Sequence, residues 1–518
     1  GGSSSGGSGG RREDAPSRPR TTPGQHGPEL ELLWAFRCAA TRGRNVSCLG
    51  WNPERPDVLA VGYGQSRFGP FSEGLVLLWS LKNPDAPERV LRTPVDVCSL
   101  AFSGRHPNLL AVGLYDGTLA LYNLRSPEDR PALTAVHATG KHTDAVWRVL
   151  WVDRGSDKGE ALVTVSTDGR VAEWSTKKGL VCTDLFRLKR RANEAGNTWR
   201  PPNSQGDGII ARHARGLCLD FPTDDPSVYF VGTEDGLVHK CSVSYNEEYL
   251  RNYHGHSGSV LSLRCSPFLP SVFLTAAADW TVKLWHQGTQ QPVLTFHSTD
   301  LTDAVNDVVW SPFSSTVFAS TAADGRLELW DLSVSSLNAV VTYRTPTVDR
   351  AEARRIATPA AGTDGRGGGG AGTGDGAKAS GAGTGAGAAT TSSSGRGKGA
   401  GAGAGAGGEG EGKTRGTVES VAHLYDSDSD AEEEKRATEA AREEEAADLP
   451  PTVQPTLNCV LFAPEEPVVV AGNSIGAVEV FRMHGFARMR FSPQEQAERL
   501  RTAMRPDDRQ GVGLAGDE

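Results

Sequence analysis

The sequence predicts an all-β fold, a seven-bladed β-propeller with a long disordered insertion before the last blade. Three observations predict it. A turn residue is followed six positions later by a large residue in Glu73/Trp79, Asp116/Tyr122, Asp168/Trp174, Asp235/Cys241, Asp279/Trp285, Asp324/Trp330 and Ile475/Phe481. A Gly follows the turn residue in six of the seven, Trp280 being the exception. A second, mostly aromatic marker stands about fourteen residues before the turn at Phe102, Phe221, Cys265 and Trp310, further off at Trp51 and Trp151, and one residue closer at Phe462. Self-similarity at a fixed period of this kind marks a repeat architecture.

Each unit reads as a small antiparallel sheet. Around Asp279, the runs Val260 to Cys265, Val272 to Ala277 and Val282 to Trp285 alternate as strands do. In most units an Asp-Gly turn between the second and third runs supplies positive φ at low cost. Such a sheet cannot cover both of its faces, whereas radial packing of several sheets buries all of them. The spacing is that of WD-repeat propellers, although only Trp330-Asp331 is a literal Trp-Asp pair. In such propellers a His before the first strand, a Ser near the turn, the turn Asp and a third-strand Trp form a buried hydrogen-bonded chain. The best-formed set here is His142, Ser166, Asp168 and Trp174, and it is assigned that structural role. A nucleophilic triad of His142, Ser166 and Asp168 is the rival reading, but Ser166 falls within a central strand and has none of the glycines of a nucleophile elbow.

In chain order, residues 1–29 read as a disordered Gly/Ser-rich and then Arg/Pro-rich segment. Residues 30–346 hold six blades. They open on the apolar run Leu30 to Phe36, expected to pair as the outer strand of the last blade and close the ring; the alternative is an outer strand on blade one. The basic run Arg187 to Arg191 reads as a solvated surface loop, with a localisation signal as the alternative. Residues 347–455 break the register: 24 of the 62 glycines lie between Ala361 and Gly416, and such a tract cannot offset its ordering entropy. Gly407 to Thr414 matches the phosphate-binding loop G-x-x-x-x-G-K-T, but without a strand before it or a helix after it the match is one of composition. Ser427 and Ser429, in an acidic setting, resemble sites of acidophilic kinases. Residues 456–483 form the seventh blade. The tail, 484–518, carries a short helix signalled by the capping box Ser492-Pro493-Gln494-Glu495.

Composition excludes several classes. The net charge is −9, and Asp426 to Asp448 alone, with eleven acidic and three basic residues, accounts for −8. The remainder is near neutral, with no basic footprint for nucleic acid or an anionic membrane. No stretch approaches eighteen apolar residues. The eight cysteines form no C-x-x-C pair; Cys48, Cys218 and Cys459 fall at one repeat position and read as small buried strand residues. No enzyme, cofactor or metal is expected. Partner binding is expected on the face that gathers the turns, with Trp147, just inside the first strand of blade three, and Trp280, in place of a turn Gly, as the candidate contacts; ordinary packing is the alternative for both. Trp suits such a role through its large area and single polar donor.

Several strings are more specific than the generic repeat: LWSLKNPDAPERV at 78–90, NLLAVGLYDGTLALYNLR at 108–125, KHTDAVWRVLW at 141–151 and GTEDGLVHKCSVSYNEEYL at 232–250. They resemble the WD domain of axonemal dynein intermediate chains. KGLVCTDLFRLKR at 178–190 and AADWTVKLW at 277–285 are most similar to the intermediate chain of the two-headed inner arm. The resemblance implies a non-catalytic subunit located in the cytoplasm, the cytoskeleton and the axoneme of a cilium or flagellum. Its propeller would dock on a dynein heavy-chain tail and pair with a second intermediate chain. Dynein light chains would bind an upstream segment that is absent or truncated here. The insertion departs from the family pattern. A different WD-repeat adaptor, such as a ubiquitin-ligase substrate receptor or a trafficking coat subunit, is the alternative function.

Overall fold

The computed structural model describes residues 1, 27–65, 73–155, 159–190, 213–349, 452–486 and 491–504. Among them, seven four-stranded antiparallel sheets are built from the predicted repeats. The inner strands are Arg44–Trp51, Val97–Phe102, Val146–Asp153, Gly216–Asp220, Val260–Cys265, Val305–Trp310 and Leu457–Phe462. In the first six blades the strands follow one another outward in chain order. Strands covered on both faces by neighbouring blades can be apolar throughout, and the third strand of blade one, Gly74–Ser80, is buried at every position.

The seventh blade is completed from the other end of the chain. Glu29–Phe36 lies antiparallel to Val478–His484, with Leu30 opposite Met483 and Phe36 opposite Val478. Phe36 is fully buried and packs on Trp79 of blade one at 5.0 Å between ring centroids. The outer position of blade one is occupied by Arg89–Thr93, so the Leu30 to Phe36 run closes the ring. This removes the exposed ladder edge that an open array would present.

Contact between blades explains two sequence features. The aromatic marker ends the inner strand, and there Trp151 Nε1 donates to Ala101 O at 3.1 Å and Trp310 Nε1 to Arg264 O at 3.1 Å, each reaching the preceding blade. Gly62, Gly232 and Gly472 lie opposite Cys48, Cys218 and Cys459. A Cβ at these glycines would come within 2.4, 2.4 and 2.7 Å of the facing sulfur and within 2.8 Å or less of Val97, Val260 and Val46 of the next blade. Cysteine, small and apolar, is what fits there; burial pushes the Cys48 and Cys218 thiols up to about 12 and so keeps them protonated.

At the end of blade six, Val348–Asp349 pairs with Thr452–Val453, and Thr345 Oγ1 donates to Gly325 O at 2.7 Å. The two ends of the insertion are thus held side by side. Its Gly-rich tract, the Gly407 to Thr414 match, the acidic block, Ser427 and Ser429 lie outside the described residues, as do 2–26 and 191–212.

Two local segments make contacts that the sequence alone did not indicate. In the basic run Arg187 and Lys189 are exposed, as a surface segment should be, and the run is also held by partners: Arg187 pairs with Asp184, Lys189 Nζ reaches Glu247 O at 2.8 Å, and Arg190 pairs with Glu234 and, at 2.8 Å, with Asp235. The helix α1, Pro493–Ala503, has its capping box, with Ser492 N donating to Glu495 Oε2 at 2.8 Å, but it also docks on the ring. Leu500 enters the core between blades five and six, and Gln496 exchanges hydrogen bonds with Ser315 and Phe313. Among the described residues, no helix is long and apolar enough to cross a membrane.

Candidate docking face

One face of the ring collects, from every blade, the start of the inner strand and the turn between the second and third strands. The registers place them together: Val146 lies opposite Ser166, and Val260 opposite Ala277. The Asp turn is tied to the segment leading into the inner strand by a histidine. In blade three, Trp174 Nε1 donates to Thr164 Oγ1 at 2.8 Å, Thr164 donates to His142 Nε2 at 2.8 Å, and His142 Nδ1 donates to Asp168 Oδ2 at 2.9 Å. The indole can only donate and the carboxylate only accept, so Trp174 Nε1 and His142 Nδ1 are the donors at the two ends of the chain.

Ser166 is not a member of this chain. It sits two residues nearer the turn, donates to Asp144 O at 2.9 Å and accepts from Asp168 N at 3.2 Å. Thr164, opposite Ala172, is the hydroxyl within reach of both rings. Blade five repeats the arrangement with Trp285, Thr275, His256 and Asp279 at 2.8, 2.7 and 2.9 Å. Burial opposes ionisation of Asp279, but hydrogen bonds from His256, Thr281 and Ser257 outweigh it and hold the carboxyl at about 2. The Asp–His–hydroxyl order is that of a catalytic triad, yet His142, Thr164 and Trp174 are fully buried and the hydroxyl is capped by the indole. It braces the turn. The hydroxyl recurs four residues before the turn at Thr164, Thr275 and Ser320, the last accepting from Trp330 Nε1 at 3.2 Å, a spacing from which its role could have been recognised.

The inner strand of every blade carries a register break near this face, and the extra residues are Ser47, Cys98, Trp147, Leu217, Leu261, Asn306 and Asn458. A bulge leaves its residue outside the ladder and re-aims it. All seven line the axial channel, of about 370 Å³. In blade three that residue is Trp147, 40% exposed, with Tyr115 of the blade-two turn set edge-to-face against it at 6.4 Å.

Trp280 stands on the same face at the blade-five turn, 43% exposed, with φ +66°. The corresponding Gly117, Gly169, Gly236, Gly325 and Gly476 have φ between +78° and +83°. A side chain in this region costs about 1–2 kcal/mol, so the fold gains nothing from a tryptophan there. Strain of this kind, held by surrounding structure, concentrates at functional positions.

Deeper in the channel, Arg148 faces two buried carboxylates. Asp307 accepts from Ser262 Oγ at 2.7 Å and Val308 N at 3.0 Å. Asp220 accepts from Cys265 N at 2.7 Å; burial pushes its carboxyl up to about 6, although Arg148 pulls the other way. Among the described residues no group of three or more His, Cys, Asp and Glu side chains is arranged to hold a metal ion. Sequence reasoning missed the relay hydroxyls Thr164 and Thr275, and also Tyr115 and Arg148, whose importance depends on which residue the bulge ejects.

Comparison with known proteins finds sequence relatives over the ring. The family described as "Dynein axonemal intermediate chain 3 WD40 domain" matches residues 38–189, and the WD domain, G-beta repeat matches 247–286 and 288–331. Dynein axonemal intermediate chain 4 of Mus musculus is 46% identical over 287 residues, covering 54% of this chain and 35% of that protein. Dynein axonemal intermediate chain 1 of Rattus norvegicus is 36% identical over 265 residues, 51% of this chain and 37% of the relative. Dynein intermediate chain 2, ciliary, of Heliocidaris crassispina is 34% identical over 281 residues, 54% and 39% respectively. The chain therefore spans little more than a third of the length of these relatives. Ring and repeat spacing make the chain a WD-repeat β-propeller, and over that ring its sequence is similar to the axonemal dynein intermediate chains.

Proposed function

We propose that this chain is a non-catalytic intermediate chain of an axonemal dynein, of the inner-arm type, and that its turn face docks on the tail of a dynein heavy chain. In this reading it works in the ciliary or flagellar axoneme, pairs with a second intermediate chain and supports assembly and regulation of motility. Light chains bind outside the propeller, and Ser427 and Ser429 are phosphorylated.

The observation that carries the docking assignment is Trp280: large, exposed and held at positive φ where the other described turns use glycine. Buried at an interface, such a residue reaches the hot-spot scale of about 2 kcal/mol or more. The test is co-sedimentation with heavy chain from an axonemal extract. Trp280→Ala should fold normally and bind about thirtyfold more weakly, the equivalent of about 2 kcal/mol. Trp280→Gly should lose binding similarly while relieving the turn. Wild-type affinity in both variants would remove Trp280 from the interface. A wild-type chain that does not sediment with heavy chains would favour the adaptor reading.

A further inference from the structure

We infer that the blade-three side of the channel mouth receives a cationic side chain, lysine or arginine, from an exposed basic segment of the docked partner. The inference rests on the proposal that this face docks a partner, and it adds the chemistry that is recognised.

The centre of the site is Trp147. The bulge takes it out of the ladder and presents it at the channel mouth, 40% exposed. Tyr115 meets it edge-to-face at 6.4 Å and 83°, which fixes the orientation of the rings while leaving aromatic surface open. An indole face attracts a cation placed within about 6 Å of its centre, more strongly once both are withdrawn from water.

The fixed charges around it have the complementary sign. Asp144, exposed and three residues before Trp147, accepts a hydrogen bond from Ala145 N at 2.9 Å and has no ion pair among the described residues. Asp116, beside Tyr115, is balanced by Lys141 at 2.8 Å. Asp96 is reached through Tyr115 N, which donates to Asp96 O at 3.0 Å. The carboxylates of all three act on the thiol of Cys98, the bulge residue of blade two, so they gather on one corner; Arg44 faces Asp96 from the other side. With Lys141 and Arg44 set against three carboxylates, one negative charge is left over, and Asp144 carries it beside the open indole. An acidic or purely apolar side chain would leave that carboxylate uncompensated under the partner. A basic one satisfies the ring and the charge together.

The full-length chain tests this with Trp147→Ala, Trp147→Phe, Asp144→Asn and Asp144→Lys, assayed by co-sedimentation with heavy chain at two salt concentrations. Trp147→Ala should weaken binding by about tenfold or more, and Trp147→Phe, which keeps an aromatic face, by less. Asp144→Asn should weaken it several-fold and flatten its salt dependence, and Asp144→Lys should weaken it further. In parallel, the purified chain is titrated with a short Lys/Arg peptide and a Glu peptide of equal length, following the difference in fluorescence between wild type and Trp147→Phe. Only the basic peptide should produce a Trp147-dependent signal, and Asp144→Lys should abolish it. Heavy-chain binding that needs Trp280 but ignores Trp147 and Asp144 would overturn the inference and leave the docking reading standing. A Glu peptide perturbing Trp147 as well as the basic one would overturn it whichever partner docks.

Discussion

Replacing Thr164 with Val tests whether the buried chain in blade three runs through Thr164. The substitution keeps the shape of the side chain and removes one oxygen, on which His142 Nε2 and Trp174 Nε1 both converge at 2.8 Å. His142 and Trp174 have no solvent exposure, so neither group can turn to water. Each buried polar group left without a partner costs about 1–3 kcal/mol, which for the two groups sets the expected loss at about 2–6 kcal/mol. Ser166→Ala removes a hydroxyl bonded only to Asp144 O and Asp168 N at the strand end, worth about 1 kcal/mol. Urea unfolding followed by tryptophan fluorescence compares the two through the shift in midpoint at constant slope. Thr275→Val in blade five should behave like Thr164→Val, because its oxygen stands 2.7 and 2.8 Å from His256 and Trp285. A loss for Thr164→Val no larger than that for Ser166→Ala would refute the reasoning.

Asp220 is raised from 3.8 to about 6, so the native state binds its proton at a higher pH than the unfolded chain; its ionisation costs stability above pH 6, and the cost fades as pH falls through 6 towards 4. At about 1.4 kcal/mol per unit, Asp220→Asn should raise stability at pH 8 by about 3 kcal/mol and make no difference near pH 4, as read from urea midpoints across pH; equal effects at both would contradict it. Deleting residues 1–37 removes the strand paired with Val478–His484, and should give aggregation or loss of cooperative unfolding in a thermal melt. Replacing 350–451 by a short Gly/Ser connector should leave the melting temperature nearly unchanged, because Val348–Asp349 already pairs with Thr452–Val453 and loop length costs only about 0.6 kcal/mol per doubling.

The repeat was legible because each unit carries its own turn and its own aromatic marker, and both are local. Ring closure by Glu29–Phe36 was legible too: an apolar run left over before blade one has few places to go in a ring that must lack edges. The identity of the relay hydroxyl was harder. Thr164 and Ser166 lie on the same face of one strand, and only the diagonal reach from Trp174 and His142 separates them. Trp147 stood out as a tryptophan, but its exposure follows from the bulge between Val146 and Arg148, which no local pattern announces. The ion pairs of the basic run Arg187 to Arg190 were not legible because its acidic partners, Asp184 apart, come from the next blade at Glu234 and Asp235. The docking of α1 depends on Gln496, a polar residue that the apolar pattern of a helix does not single out.

The account's central claim is that the turn face is the surface applied to the heavy chain, and cross-linking in intact axonemes followed by mass spectrometry tests it most directly. Lys141 and Asp144 lie on the turn face, whereas Lys82, 79% exposed, follows the third strand of blade one at the opposite end of the sheet. The predicted result is cross-links from heavy-chain tail peptides to the Lys141–Asp144 side, suppressed in Trp280→Ala. Cross-links confined to Lys82 and its neighbours, or the absence of heavy-chain peptides altogether, would contradict it.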